Sequence, residues 1–434
     1  MKKLVKKTRG NNTKKYYKLV NSQNDQFTSE VGYFKKKLSH QEQIRIMQDV
    51  KAINDHINID KPYRLALLQS DIPIKYKANV LQKVNMLKSM EPGDPEYYKI
   101  KSWVDDFMQV PFGKYTGLDV NLSHGIDICN KFMADAMEIL DKCAYGLTDA
   151  KMQILQMVGQ WISNPQAMGT AIAIKGPMGT GKTTLVKDGI SKILQRYFAF
   201  IPLGGCGDSS FLEGHSYTYE GSGHGKIVQV LKESKSMNPV FYFDELDKVS
   251  ESARGEEIIG ILTHLTDTSQ NNQFHDKYFA DVDFDLSKSL FIFSYNDETR
   301  VNPILKDRMY CIQTKGYNTK EKLVIAKDYL LPKIREQVNF NNEDVIIPDE
   351  TIEYIITNKN FTKEEDGVRN LKRCLEVIYT KINLFRLVKM DEDNMFSKEI
   401  KMKISFPFTV NKDDVDKLIK SEPPQNQSVL AMYM

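Results

Sequence analysis

The chain has 434 residues, 41% hydrophobic and 27% charged, enough apolar material for about two to four domains with sizeable cores, which excludes a globally disordered protein. Its net charge of only +3 does not by itself demand a nucleic-acid partner, and no run approaches the roughly 18 apolar residues of a membrane-spanning helix. Five scattered cysteines, Cys129, Cys143, Cys206, Cys311 and Cys374, fit free thiols in a reducing, intracellular compartment and exclude a disulfide framework.

In chain order, residues 1–45 are polar and lysine-rich and read as a flexible tail. Residues 1–18 hold Lys2, Lys3, Lys6, Lys7, Arg9, Lys14, Lys15 and Lys18 and no acid, which suits either a solvated tail or an arm for nucleic acid or another acidic partner. Few serines and no clear amphipathic helix argue against a mitochondrial presequence, and no apolar run follows to make a secretory leader. From about Ile46 to Met90 the pattern turns helical, with Val80, Leu81, Val84, Leu87 and Met90 at three-to-four spacing. Glu91-Pro92-Gly93-Asp94-Pro95 breaks it. A second amphipathic helix carries Tyr98, Ile100, Trp103, Val104 and Phe107 and ends near Val110-Pro111-Phe112-Gly113; residues 114–125 read as a loop, and Ile126–Cys143 as a further helix.

From Ala171 the rhythm changes. Short apolar runs, Ala171–Ile174, Ala199–Leu203, Val240–Phe243, Ser289–Ser294 and Tyr310–Thr314, alternate with helical segments and predict an α/β fold with a parallel sheet covered by helices on both faces. After Gly316 the chain is mainly helical, with a β-like run at Glu399–Phe408; residues 421–434, around Pro423-Pro424, read as a loose tail.

The first predicted strand leads into Gly176-Pro177-Met178-Gly179-Thr180-Gly181-Lys182-Thr183, followed by Thr184 and a predicted helix Leu185–Leu194. This is a complete GxxxxGK[ST] pattern in the strand–loop–helix context of a phosphate-binding loop. Its glycines let backbone N–H groups wrap a phosphate, and the helix N-terminus adds partial positive charge there. Lys182 is expected at the β- and γ-phosphates of ATP and the Thr183 hydroxyl at Mg2+. The third predicted strand ends in Asp244-Glu245. Asp244 suits the Mg2+ shell and Glu245 suits polarising the attacking water, so hydrolysis is expected rather than binding alone; a solvated acidic turn is the plain alternative. Asn296 ends the next strand and suits holding that water, or simply forms a turn before Asp297. Arg308 suits reaching the γ-phosphate of a neighbouring subunit, as arginine fingers do, or forms a surface salt bridge. Arg369, in Gly367-Val368-Arg369-Asn370-Leu371, suits closing over the nucleotide, or lies on a plain helix surface.

From about Leu140 to Ile419 these residues resemble the ATPase part of the Lon protease family. Tyr145-Gly146-Leu147 is similar to the family's adenine-side motif, and Leu203-Gly204-Gly205 and Gly214-His215 to the segment after the second strand. Tyr219-Glu220-Gly221, followed by Gly225-Lys226-Ile227, is similar to its first pore loop, and Asn238-Pro239-Val240 with Asp244-Glu245-Leu246-Asp247-Lys248 to its acidic motif. Gln270-Asn271-Asn272, Phe274, Tyr278, Asp285-Leu286-Ser287-Lys288, Asp307-Arg308-Met309, Gly316-Tyr317 and Gly367–Leu371 continue the match collinearly. Trp103–Phe107 with Val110-Pro111-Phe112 is similar to the end of the family's helical N-terminal region. The resemblance implies an AAA+ P-loop NTPase; together with the composition and periodicity above, the expected organisation is a basic tail at 1–45, a helical N-terminal region at 46–125, a nucleotide-binding α/β domain at 126–316, a mainly helical lid at 317–420 and a tail at 421–434. It also implies a homo-oligomer, a hexameric ring with ATP between subunits, in which Tyr219 pushes an unfolded polypeptide through the pore. Three departures stand out. No protease domain with its Ser and Lys dyad has room or a motif here, so no peptide-bond cleavage is expected. Residues 1–60 do not resemble the family's substrate-binding domain, and Glu220 stands where the family usually has an aliphatic residue.

Three functions therefore compete: an ATP-driven protein unfoldase or remodeller, a nucleic-acid motor using the basic tail, and the motor subunit of a protease whose peptidase is a separate chain. Tyr219 has a buried core position as its alternative, although Gly221, Gly223 and Gly225 favour a mobile loop. His215, His224 and Cys206 match no standard zinc spacing. The Lys- and Asn-rich usage points to an AT-rich genome such as that of a large DNA virus.

Overall fold

A computed structural model describes residues 30–57, 62–91, 93–219, 221–387 and 404–419. The basic run at 1–18, Glu220, the first half of the Glu399–Phe408 run and the tail at 421–434 lie outside the described residues. The chain divides into two compact units, one reaching Ser70 and including Val84–Lys88, the other comprising Asp71–Lys83 and everything from Ser89 onward.

In the first unit, the helices Glu30–Lys37, His40–Ile57 and Tyr63–Gln69 follow one another. The expected tail at 1–45 is therefore helical from Glu30. The signal behind the correction is Ser39-x-x-Glu42: the Ser39 N–H donates to Glu42 Oε2 at 2.8 Å and the Glu42 N–H to Ser39 Oγ at 3.4 Å. This reciprocal capping box satisfies two amides at the start of the helix His40–Ile57, ahead of its first apolar residue, Ile44.

The larger unit is built on a five-stranded sheet. Its strands are β1 (Ala171–Lys175), β2 (Phe198–Pro202), β3 (Val240–Asp244), β6 (Leu290–Tyr295) and β7 (Tyr310–Gln313); β4 (Phe274–His275) and β5 (Asp283–Phe284) form a separate antiparallel pair. The order is β2-β3-β6-β1-β7 with every neighbouring pair parallel, as the apolar runs predict. Successive side chains point to opposite faces. Ile172, Ile174, Tyr242, Ile292 and Ile312 join one buried cluster with Leu140, Ile154, Val158, Leu185 and Val186. The residues between them stack across strands on the other side, Phe241 on Phe291 at 5.4 Å and Phe243 on Phe293 at 5.0 Å between ring centroids. Burial on both sides is why the central strands β1, β3 and β6 read as continuous apolar runs.

The helix Thr148–Ser163 has no counterpart among the predicted elements, yet Ile154, Met157, Val158, Trp161 and Ile162 trace a buried stripe along it. The two predicted amphipathic helices are Ile74–Ser89 and Pro95–Gln109. Asp94 caps the latter by accepting from the Glu96 N–H at 3.0 Å, with Pro95 at its first turn. Trp103 on that helix stacks on Phe107 at 5.4 Å and donates its indole N–H to the Tyr278 carbonyl at 3.0 Å, tying the helix to the β4–β5 segment.

After β7 the chain forms a second buried cluster centred on Ile334, Ile352, Ile355, Leu371, Leu375, Ile378 and Val415. Its helices include Leu331–Val338, Asp349–Thr357, Arg369–Leu387 and Lys412–Leu418, and β8 (Val345–Ile346) pairs in parallel with β9 (Phe408–Thr409). The predicted β-like run is a strand only at Phe408 among its described residues; Pro407 has no N–H for a ladder. Among the described residues no helix is long and apolar enough to cross a membrane.

Candidate nucleotide site

The parallel register sets the carboxyl ends of β1, β3 and β6 side by side, where ligands bind in open α/β sheets. Gly176 follows β1, Asp244 ends β3 and Asn296 follows β6. The loop Gly176–Thr183 turns back on itself through Gly179 (φ 76°) and Gly181 (φ 87°), backbone angles that glycine reaches without a Cβ penalty. A Cβ on Gly176 would lie 1.9 Å from Thr314 Oγ1. The helix begins at Lys182, earlier than the predicted Leu185, and runs to Leu194 with a widened π-helical stretch over Leu185–Ile190. The widening includes Gly189, where a Cβ would come within 3.0 Å of Leu140 and 3.2 Å of Cys143 Sγ on the helix Ile126–Cys143.

Lys182 Nζ donates to Asn296 Oδ1 at 2.7 Å, to the Pro177 carbonyl at 3.1 Å and to the Gly176 carbonyl. Burial holds this ammonium below the ordinary lysine range, against the opposing pull of Asp244 and Asp247. These three acceptors are all neutral, so a polyphosphate would supply the countercharge that its position favours. The Thr183 hydroxyl lies 3.1 Å from the Tyr242 hydroxyl, which donates to Asp244 Oδ1 at 3.3 Å; Ser294 donates to the same carboxylate oxygen. Burial pushes the Tyr242 phenol up to about 12 and keeps it a donor. Thr183 and Asp244 thus form a pair of hard oxygens, the donor set that fits Mg2+.

Glu245 follows with φ 59° and ψ 47°, left-handed for a residue that carries a Cβ. A Cβ on Gly204 would sit 2.2 Å from Glu245 Oε2, so the glycine of the turn after β2 makes room for this carboxylate. The Leu203 N–H donates to the Asp244 carbonyl at 2.9 Å and holds the two segments together.

These groups open on one cavity of about 560 Å3, lined by Tyr145, by Met178, Gly179, Thr180, Gly181, Lys182, Thr183 and Thr184, and by Asp244, Glu245, Asn296 and Arg369. Gly176 and Pro177 instead line an adjoining cavity, and Asn296 borders both. Gly146 (φ 62°) turns the chain beside Tyr145. Tyr317, Tyr329, Lys333 and Lys372, which no sequence motif marks as site residues, also line the cavity. Tyr145 meets Tyr317 at 6.4 Å and Tyr329 at 6.3 Å between centroids, and the Tyr317 hydroxyl donates to the Thr180 carbonyl at 2.9 Å. Of these residues only Tyr317 carried a signal, as part of Gly316-Tyr317. The segment bearing Arg369 seats directly on the phosphate loop. The Val368 N–H donates to the Gly179 carbonyl at 3.1 Å, and a Cβ on Gly367 would lie 2.1 Å from the Met178 carbonyl oxygen.

Gly146, Arg308, Tyr219 and Gly221, also predicted as site residues, are not part of this lining. Arg308 is outside this cavity lining and pairs with Asp267. Tyr219 is 67% exposed, so the alternative of a core tyrosine does not hold. Its loop is closed at the base by the His215 N–H donating to the Gly223 carbonyl at 3.0 Å and turns through Gly221 (φ 72°). The Tyr217 ring lies under Lys83 and Lys99, at 4.6 Å and 4.7 Å. At the loop's end, fully buried Asp276 accepts from the Gly225 N–H at 2.7 Å and the Tyr278 N–H at 2.9 Å. Among the described residues no group of three or more His, Cys, Asp or Glu side chains could hold a metal ion.

The chain matches the family described as ATPase family associated with various cellular activities (AAA) over residues 172–317. It is 35% identical over 323 residues to the Lon protease homolog of Acanthamoeba polyphaga mimivirus, covering 73% of this chain and 30% of the relative. It is 33% identical over 356 residues to the Lon protease of Clostridium acetobutylicum, covering 82% and 43% respectively. To the mitochondrial Lon protease homolog of Schizosaccharomyces pombe it is 34% identical over 317 residues, covering 73% and 28%. The matches thus span between 28% and 43% of these relatives' length.

Proposed function

Starting from a chain that carries an AAA ATPase module of the Lon kind, we propose that it hydrolyses ATP to ADP and phosphate and uses the energy to unfold, translocate or remodel protein substrates as a ring of six copies. The observation that supports this most is the convergence of Lys182, Thr183, Asp244, Glu245, Asn296 and Arg369 on one cavity. Lys182 neutralises phosphate charge, and Thr183 and Asp244 would hold Mg2+, which supplies Lewis-acid polarisation at the phosphates. Glu245 orients the attacking water and takes its proton. Asn296, hydrogen-bonded to Lys182, fixes the polar edge of the cavity. Arg369 reports lid closure on the phosphate loop, and Arg308, outside the cavity of its own subunit, serves the next one. Tyr219, exposed on a glycine-flanked loop, grips an extended polypeptide with its ring. For these 434 residues we propose no peptide-bond cleavage. A mimivirus relative is in keeping with the proposed viral origin.

The basic run at residues 1–18 favours the rival reading, a nucleic-acid motor. ATP turnover measured with casein, with single-stranded DNA and with duplex DNA separates the two. We expect casein alone to stimulate it, and Tyr219→Ala to lose that stimulation. Stimulation by DNA alone, lost at high salt and on deleting residues 1–18, would replace this reading with the nucleic-acid one.

A further inference from the structure

Arg308 follows the short helix Pro303–Asp307, and its guanidinium donates to the Asp267 carboxylate and to the Thr263 carbonyl at 3.4 Å. Asp267 closes the helix Ala253–Thr266 and is itself held. Its Oδ1 accepts from the Ser269 N–H at 2.9 Å and the Ser269 hydroxyl at 2.7 Å, leaving Oδ2 to the arginine. Its backbone carbonyl accepts from the Gln270 N–H at 3.0 Å and the Asn271 N–H at 2.9 Å. The bonds from Ser269 and from Arg308 hold the carboxyl at about 2. The helix it closes starts just after the acidic motif, where Gly255 packs so tightly that a Cβ would lie 1.7 Å from the Ser250 carbonyl oxygen. At about 1.5 Å per residue, its 14 residues make a rod of about 21 Å. One end of the rod follows Glu245, which lines the nucleotide cavity; the other carries the carboxylate that aims Arg308.

We infer that Asp267 is a positioning residue for Arg308, holding the guanidinium in the orientation in which it meets the nucleotide cavity of a second copy of this chain. The inference rests on the reading of Arg308 as the donor to a neighbouring subunit. A surface ion pair contributes little to folding, so removing the Asp267 charge should alter turnover while leaving the fold and nucleotide affinity in place. It would also link the acidic motif of one cavity mechanically to the arginine that serves the next.

The test compares the full chain with Asp267→Asn, Asp267→Glu, Arg308→Ala and the Asp267→Asn/Arg308→Ala double variant. Asparagine keeps an acceptor for the Ser269 N–H. Steady-state and single-turnover ATP hydrolysis are read beside the affinity for a fluorescent ATP analogue. We expect Asp267→Asn to lower kcat about tenfold with affinity within about twofold, Asp267→Glu to recover most of the rate, and Asp267→Asn to add nothing to Arg308→Ala. A wild-type rate for Asp267→Asn beside a slow Arg308→Ala overturns the inference alone. An equal further loss in the double variant assigns Asp267 a structural role and also overturns it. A wild-type rate for Arg308→Ala overturns the reading of Arg308 and this inference with it.

Discussion

At the scale of single residues, the contiguous phosphate loop and the Asp244-Glu245 pair were legible because their chemistry sits on neighbouring positions of one strand end. Tyr329, Lys333 and Lys372 were not, because they reach the cavity from lid helices whose spacing also serves a core. Asp276 was equally silent: nothing near it in the chain distinguishes a buried carboxylate at the base of a loop from a solvated one. Burial pushes its carboxyl up to about 7 from 3.8, although backbone N–H donors pull the other way. The unfolded chain releases this proton near the ordinary value and the folded chain keeps it to about 7. The protonated carboxyl therefore favours the fold at low pH, and that contribution is lost as pH rises from about 4 to about 7. The shift corresponds to about 4 kcal/mol at 1.36 kcal/mol per pH unit. Denaturant unfolding of wild type and Asp276→Asn at several pH values should show the wild type losing ground across that window, and a constant difference would contradict the assignment.

At the scale of elements, the three central strands β1, β3 and β6 were legible because both faces are buried and their apolar runs are nearly uninterrupted, while the edge strands β2 and β7 keep a short apolar run although part of each is exposed. The β4–β5 pair was not, since two residues per strand carry no period. The widened helix over Leu185–Ile190 also left no trace, because its apolar positions suit either winding. The contact between the lid and the phosphate loop depends on a residue without a side chain. With a Cβ 2.1 Å from the Met178 carbonyl oxygen, Gly367→Ala must displace one segment or the other. Its expected effect is a rise of about tenfold in the KM for ATP, about 1.4 kcal/mol, with the melting temperature little changed. An unaltered KM would mean that the lid does not close on this loop during turnover.

At the scale of the whole molecule, the collinear motifs identified the module before any strand was paired, while the first unit stayed illegible beyond its helical periodicity. Its capping box at Ser39 and Glu42 is a local signal that says where a helix starts and nothing of what the helix serves. We propose that the cavity between sheet, phosphate loop and lid hydrolyses ATP by way of Glu245. The most direct test measures ATP binding and ATP turnover side by side in wild type and Glu245→Gln. Near-equal binding is expected, with turnover lowered about 100-fold or more, the size expected for loss of a general base. Turnover in Glu245→Gln equal to that of wild type would contradict it.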